Sequence, residues 1–112
     1  MAALLEAPGA LCTCVGPAFA LGRVTLDEAE LLTIACPPDA QRLGHGRATL
    51  AAFEAEAKAR CATSVFLEVA EDNPAACALY AASGYEEIAR RRGYYTRTTG
   101  GKVTALIYQK RL

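Results

Sequence analysis

A chain of 112 residues with a hydrophobic fraction of 53% is long enough for one packed domain and too short for two. Twelve Lys and Arg residues cancel twelve Asp and Glu residues, so the chain lacks the basic stripe of a dedicated nucleic-acid binder and the charge for electrostatic docking on a membrane. No apolar run approaches the ~20 residues a membrane span requires, and the opening Met-Ala-Ala-Leu-Leu lacks the basic head and length of a signal peptide.

Met1 to Ala7 reads as the end of a helix closed by Pro8-Gly9. Leu11 to Val15 is a short strand, with Gly16-Pro17 as its turn. Ala18 to Leu26 is a second strand, weakened by Gly22, and Asp27-Glu28 is a polar turn. Glu30 to Ala35 is a third, apolar enough to predict burial of both faces. Three strands in succession predict an antiparallel meander. A helix follows over about 46–60, where Leu50, Phe53 and Ala57 fall at i, i+3 and i+7 on one side and Glu54, Glu56, Lys58 and Arg60 take the others. Val65-Phe66-Leu67-Glu68-Val69 is a strand with one carboxylate in an apolar run. Strand, helix and strand imply a right-handed crossover between parallel strands. Asn73-Pro74 opens a second helix, since Asn is a preferred N-cap and Pro is preorganised for the first helical position. Gly84 closes it as a left-handed cap would. Tyr85 to Ala89 is a strand, Arg90 to Lys102 a polar loop, and Val103 to Gln109 the last strand. The predicted class is α/β (α+β), one domain over 1–112, with a mixed sheet in which the meander runs into a β-α-β-α-β-β order.

The five cysteines are Cys12, Cys14, Cys36, Cys61 and Cys77. Their number is odd, there is no C-x-x-C pair, and the chain holds a single histidine, His45, so no metal site is expected. The reading is of small buried apolar residues in a reducing, cytoplasmic compartment.

The stretch Gln41-Arg42-Leu43-Gly44-His45-Gly46-Arg47 sits where a strand hands over to a helix. The first N–H groups of a helix have no internal partner and carry partial positive charge. Glycines let a phosphate approach the main chain closely, and Arg42 and Arg47 add charge beside it. A mononucleotide loop would continue Gly-Lys-Ser/Thr, but Arg47-Ala48 follows Gly46; a dinucleotide fingerprint needs Gly or Ala where Thr49 stands. What fits is Q-x-x-G-x-G, from Gln41 through Gly44 to Gly46.

That loop resembles the pyrophosphate loop of the GNAT N-acetyltransferase superfamily. A second motif follows at compatible spacing: Leu67-Glu68-Val69, Asn73-Pro74-Ala75-Ala76, Ala78-Leu79-Tyr80 and Gly84-Tyr85, then Arg91-Arg92-Gly93-Tyr94-Tyr95. This wording is similar to the RimI-type branch, which acetylates the N-terminal Ala or Ser of a ribosomal protein. The resemblance runs from about residue 10 to the end. It implies acetyl-CoA as cosubstrate, without a metal, and a protein N-terminus as acceptor, attacked directly in a ternary complex. Ile34, Ala35 and Cys36 would pair with the pantetheine arm, Gln41, Arg42, Leu43, Gly44, His45, Gly46 and Arg47 would hold the pyrophosphate, and Asn73 would lie near the reactive end. Glu68 would be the general base, its basicity raised by apolar neighbours, and Tyr80 the general acid.

Plainer readings stand beside these. Asn73 is also a good N-cap, Tyr80 a core tyrosine, and Glu68 a partner for an edge arginine. Cys77, one turn before Tyr80, could carry an acetyl group but has no histidine near it in sequence, so packing is the preferred role. His45 is expected to face solvent or the ribose-phosphate. The Arg90-Arg91-Arg92 run is expected to be a solvated edge, and Tyr94-Tyr95 with Gly100-Gly101 to shape an acceptor groove. Family members usually carry a strand and two helices ahead of residue 10. Their lack is expected to harm peptide specificity more than cofactor binding, and to leave 11–15 a bare edge through which two copies could pair. The other functions left open are a non-catalytic acyl-CoA-binding module and an acetyltransferase for small amines.

Overall fold

A computed structural model describes residues 9–37, 44–98 and 100–112. The expected helix tail at 1–7, Gln41, Arg42 and Leu43 lie outside the described residues. The described elements run β1 (Ala10–Val15), β2 (Ala18–Thr25), β3 (Glu28–Ala35), α1 (His45–Ala59), β4 (Ser64–Ala70), α2 (Pro74–Ala82), β5 (Glu86–Thr96) and β6 (Lys102–Arg111). This is the anticipated α/β succession. Two compact units divide it, Met1–Val65 with Arg111–Leu112, and Phe66–Lys110.

In the first unit β1, β2 and β3 form the antiparallel meander, with Cys12 opposite Leu21 and Cys14 opposite Phe19. The β2–β3 register shifts between Leu21 and Gly22. Helix α1 packs on this meander through Leu50, Phe53 and Ala57, all buried as their spacing required. Gly22 is what lets it come close. A Cβ there would lie 2.1 Å from the Glu30 carbonyl oxygen and 2.7 Å from the Phe53 ring. The glycine is thus a seat for the helix rather than a flaw in the strand. Gly22→Ala is expected to destabilise the protein by about 1–3 kcal/mol through overpacking, read as a fall in the urea midpoint at unchanged slope.

The end of α1 carries a feature that composition does not announce. Cys61 takes φ 71°, the left-handed region. Its N–H donates to the Lys58 carbonyl at 3.0 Å, and that of Ala62 donates to the Ala57 carbonyl at 3.0 Å. That is a Schellman closure with cysteine where glycine is usual.

Two expectations in this unit are corrected. β3 is not covered on both faces: Ala29 and Leu31 are buried, whereas Leu32 and Thr33 are exposed. Alternation turns Leu32 away from Leu31, and the extra residue at Leu32, between the Leu31–Gly22 and Thr33–Leu21 pairs, breaks the alternation so that Thr33 is exposed as well. Nor are the cysteines buried. Cys12, Cys14 and Cys61 are exposed, and Cys36 and Cys77 half-buried. Leu11 is buried and Thr13 donates to the Thr49 carbonyl at 3.4 Å, so β1 turns these two residues to the helix and both its cysteines away.

In the second unit the strand order is β4-β6-β5. The Glu71 N–H donates to the Thr104 carbonyl at 2.9 Å, tying the end of β4 to β6. Helix α2 starts and stops as expected. The Asn73 Oδ1 accepts the Ala76 N–H at 3.1 Å. At the other end Gly84 takes φ 92°, and the Tyr85 N–H donates to the Tyr80 carbonyl at 3.0 Å.

The polar loop expected over Arg90 to Lys102 is instead strand for much of its length. β5 continues to Thr96, and its turn is closed by the Arg97 N–H donating to the Gly101 carbonyl at 2.8 Å. β5 ends the strand order of its unit, with solvent along most of its length, so charged side chains suit it. Arg90 pairs with Glu87 at 2.8 Å and with Glu71 at 3.2 Å. The pairing with β6 shifts register between Arg91 and Tyr95, which sets where both side chains emerge.

Candidate active site

The site begins with the pleat of β4. Leu67 and Val69 are buried, and Glu68 between them points the other way. Its side chain is about 30% exposed. The Tyr95 hydroxyl donates to Glu68 Oε2 at 3.1 Å, and Arg91 Nη1 stands 3.9 Å from Oε1. The expected apolar surroundings are therefore corrected. Leu67 and Val69 flank Glu68 in sequence but occupy the opposite face, and its own face holds a phenol and a guanidinium.

Tyr95 is itself held. Its ring meets the edge of Tyr94 at 5.2 Å between centroids, and the Arg97 guanidinium lies 5.8 Å from its centre. Arg97 is anchored in turn by Asp72, with Nε donating to Oδ2 at 3.0 Å and Nη2 to Oδ1. Burial first, and then the Glu68 hydrogen bond and charge, push the Tyr95 phenol above its ordinary pKa, so it remains a donor at physiological pH. Arg91 lies over the Tyr94 ring at 5.2 Å.

Tyr80 lies on α2 in an aromatic cluster, its ring 5.8 Å from that of Tyr85 and 6.2 Å from that of Tyr108. It is 6% exposed. Burial, followed by Cys77, pushes its phenol up to about 12. Burial likewise raises the Tyr108 phenol, with Cys77 beside it, and the Cys77 thiol points at the Ala70 carbonyl at 3.9 Å. Asn73 sits one residue ahead of α2 as its cap, with Oδ1 committed to Ala76. Glu68 is thus gathered with Tyr95 and Arg91, and Tyr80 with Cys77, Tyr85 and Tyr108. A shallow recess of about 290 Å³ lined by Glu71, Asp72, Lys102, Val103 and Thr104 contains none of Glu68, Asn73 and Tyr80.

The described residues that the sequence reading set aside for an anion belong to the first unit. Gly44 takes φ 77° just ahead of α1, and a Cβ there would meet nothing within 4 Å. The helix has no acidic residue in its first turn, so no carboxylate of its own offsets the partial positive charge of its start. Gly46 is half-buried and Arg47 exposed. Ile34 and Ala35 finish β3 opposite Ala20 and Phe19, with Cys36 next, all half-buried. His45 is half-buried. Its ring packs on the β1–β2 turn, where a Cβ on Gly16 would lie 3.3 Å from Nε2; among the described residues, its Nδ1 is buried with no hydrogen-bond partner.

Sequence reasoning missed Tyr95 as the partner of Glu68. The only hint was the Tyr94-Tyr95 pair on what proves to be strand, where one of the two must face the same side as its neighbours' alternate residues.

Residues 12–85 match the acetyltransferase (GNAT) family. The [ribosomal protein bS18]-alanine N-acetyltransferase of Escherichia coli K12 is 47% identical over 90 residues, covering 80% of this chain and 60% of the relative. That of Salmonella typhimurium LT2 is 45% identical over 83 residues, covering 74% and 56%. The chain thus spans about 60% of the length of these curated relatives. Among solved structures, the ribosomal-protein-S18-alanine N-acetyltransferase from Escherichia coli superimposes with a TM-score of 0.85 at 39% identity, covering 97% of this chain and 73% of that one. The ribosomal-protein-alanine N-acetyltransferase from Brucella melitensis gives 0.74 at 25% identity, covering 85% and 61%.

Proposed function

The chain belongs to the acetyltransferase (GNAT) family, and on that premise we propose that it transfers the acetyl group of acetyl-CoA to the α-amine of a protein N-terminus beginning with Ala or Ser. The relatives named for ribosomal protein bS18 alanine support that acceptor class. The observation that carries the chemistry is the Glu68 carboxylate, oriented by a phenol at 3.1 Å on the partly exposed side of a strand whose other side is buried.

The residues fit the cosubstrate. The open, left-handed Gly44 leading into a helix without early acidic residues suits a pyrophosphate, and Gly46, Arg47 and the end of β3 would complete the hold. When bound, acetyl-CoA supplies an activated thioester carbon. Glu68 takes a proton from the acceptor ammonium, and the neutral amine so formed bonds to the acetyl carbon. The carbon–sulfur bond breaks as the nitrogen gives up its second proton to solvent, and Tyr80 offers its O–H to the departing sulfur. Asn73 fixes the start of α2 and thereby the helix that carries Tyr80. Cys77 is packing rather than an acetyl carrier. The site requires no metal ion in this scheme. We place the protein in the cytoplasm, where such acceptors are made; among the described residues, no helix is long and apolar enough to cross a membrane.

Thiol release from acetyl-CoA with an Ala-initiated peptide tests the reading, with the N-acetylated peptide as control. Turnover of the free peptide and none of the blocked one is expected. Tight CoA binding with no turnover on any peptide or small amine would point to a non-catalytic acyl-CoA-binding module instead.

A further inference from the structure

We infer that Tyr95 is a positioning residue for Glu68, occupying Oε2 so that Oε1 is the oxygen that meets the acceptor amine. The inference rests on the general-base role proposed for Glu68 and extends it to a residue on another strand. Three observations carry it. The two carboxylate oxygens are not equivalent: Oε2 receives the Tyr95 O–H at 3.1 Å, while at Oε1 the Arg91 Nη1 stands at 3.9 Å, beyond hydrogen-bond length. An ammonium approaching Glu68 therefore finds Oε1 without a short hydrogen bond and one of the two lone-pair positions of Oε2 already filled. Second, Tyr95 is braced. Asp72 grips Arg97 by two N–H groups, Arg97 lies over the Tyr95 ring, and Tyr94 meets it edge-on. Third, among the described residues this is the one hydrogen bond that fixes the Glu68 rotamer on the exposed side of β4. A glutamate side chain loses rotamer freedom when fixed, and a hydrogen bond to a charged group offsets that loss.

Proton transfer needs the accepting oxygen within hydrogen-bond reach of the donor nitrogen. A carboxylate that swings free spends part of its time out of reach, so losing the brace lowers kcat rather than the affinity for acetyl-CoA. Tyr95→Phe keeps the ring, and with it the contacts to Tyr94 and Arg97, and removes only the donor.

The test is a double-mutant cycle of Tyr95→Phe with Glu68→Gln, following thiol release from acetyl-CoA with an Ala-initiated peptide. Tyr95→Phe is expected to lower kcat about 10-fold with KM for acetyl-CoA unchanged, and to cost nothing further in the Glu68→Gln background. Arg97→Lys, which loosens the brace without touching Glu68, should give a smaller fall in kcat, also absent in the Glu68→Gln background. It serves as the second probe should the Tyr95→Phe protein be poorly folded. Equal losses in both backgrounds would overturn the inference, since Tyr95 would then act on substrate or on the fold and not through Glu68. A Tyr95→Phe protein as active as the parent would overturn it too. Should Glu68→Gln itself leave turnover intact, the base assignment fails and this inference falls with it.

Discussion

Glu68→Gln is expected to lower kcat by about 10²–10⁴-fold, the range typical of losing a general base, while acetyl-CoA binding and stability stay near those of the parent. The acceptor α-amine has a pKa of about 8, so at pH 7 roughly nine molecules in ten arrive as ammonium and cannot attack. A carboxylate in contact removes that proton and leaves a neutral amine able to form the bond. Gln has the same shape and still accepts the Tyr95 hydroxyl, but cannot take a proton. Little stability should be lost, because the Glu68 side chain is about 30% exposed and its Arg91 contact is 3.9 Å long, a pair of the kind that contributes little. The pH profile carries the sign. Without a base the residual rate depends on amine that is already neutral, so it should climb about tenfold per pH unit below 8 and level off above it. The parent should depend on pH less steeply over that window. Calorimetry with CoA and kcat/KM against pH read both halves. A Glu68→Gln protein retaining a third or more of parental kcat would sink the assignment.

What could be read from the residues alone follows the range of the interactions involved. Helix α2 was legible because its determinants are local: Asn73 caps it, Pro74 starts it and Gly84 closes it within twelve residues. Helix α1 was legible through the spacing of Leu50, Phe53 and Ala57, since one buried stripe is enough to predict a face. Its end was not, because Cys61 adopts a left-handed φ of 71° that no composition rule assigns to cysteine. The length of β5 was obscured because its residues read as solvated loop. Arg90, Arg91 and Arg92 suit a strand with one neighbour as well as they suit a loop, and only the ladder to β6 decides. The same ladder hides the link between Tyr95 and Glu68, residues 27 apart in the chain. A register shift between Arg91 and Tyr95 settles which side chain reaches the carboxylate, and a shift of one residue would reverse the faces. The role of Glu68 as a candidate base was visible as a lone acid in an apolar run. Its actual surroundings were not, because sequence neighbours on a strand face opposite ways. Gly22 shows the same limit from another side: read in sequence it weakens a strand, and in space it is where Phe53 rests.

Tyr80→Phe is expected to lower kcat about 10²-fold, toward the lower end for loss of one hydrogen-bond donor to developing charge, and to change how the protein unfolds in alkali. The phenol stands at about 12, whereas an ordinary thiol lies near 8.5. Full transfer of its proton to a departing thiolate would therefore run uphill by roughly 5 kcal/mol. Tyr80 is better suited to stabilising developing charge on sulfur through a hydrogen bond, with the thiolate leaving as such and taking its proton from solvent. It follows that the basic limb of the rate profile should contain no ionisation of Tyr80 below about pH 11. Stability gives an independent reading. The folded phenol is raised above its unfolded value of 10 by burial in the cluster with Tyr85 and Tyr108. The neutral form is thus favoured in the native state, and the resulting stability is complete below pH 10 and lost as pH rises toward 12. That difference corresponds to roughly 2–3 kcal/mol. Urea midpoints measured from about pH 9 to 12 should fall by that amount in the parent and by much less in Tyr80→Phe, which keeps the ring packing without the ionisable oxygen. Equal alkaline loss in both proteins would mean that the hydroxyl is solvated in the native state. A hydroxyl in that state could not be the desolvated donor at the sulfur that this mechanism requires.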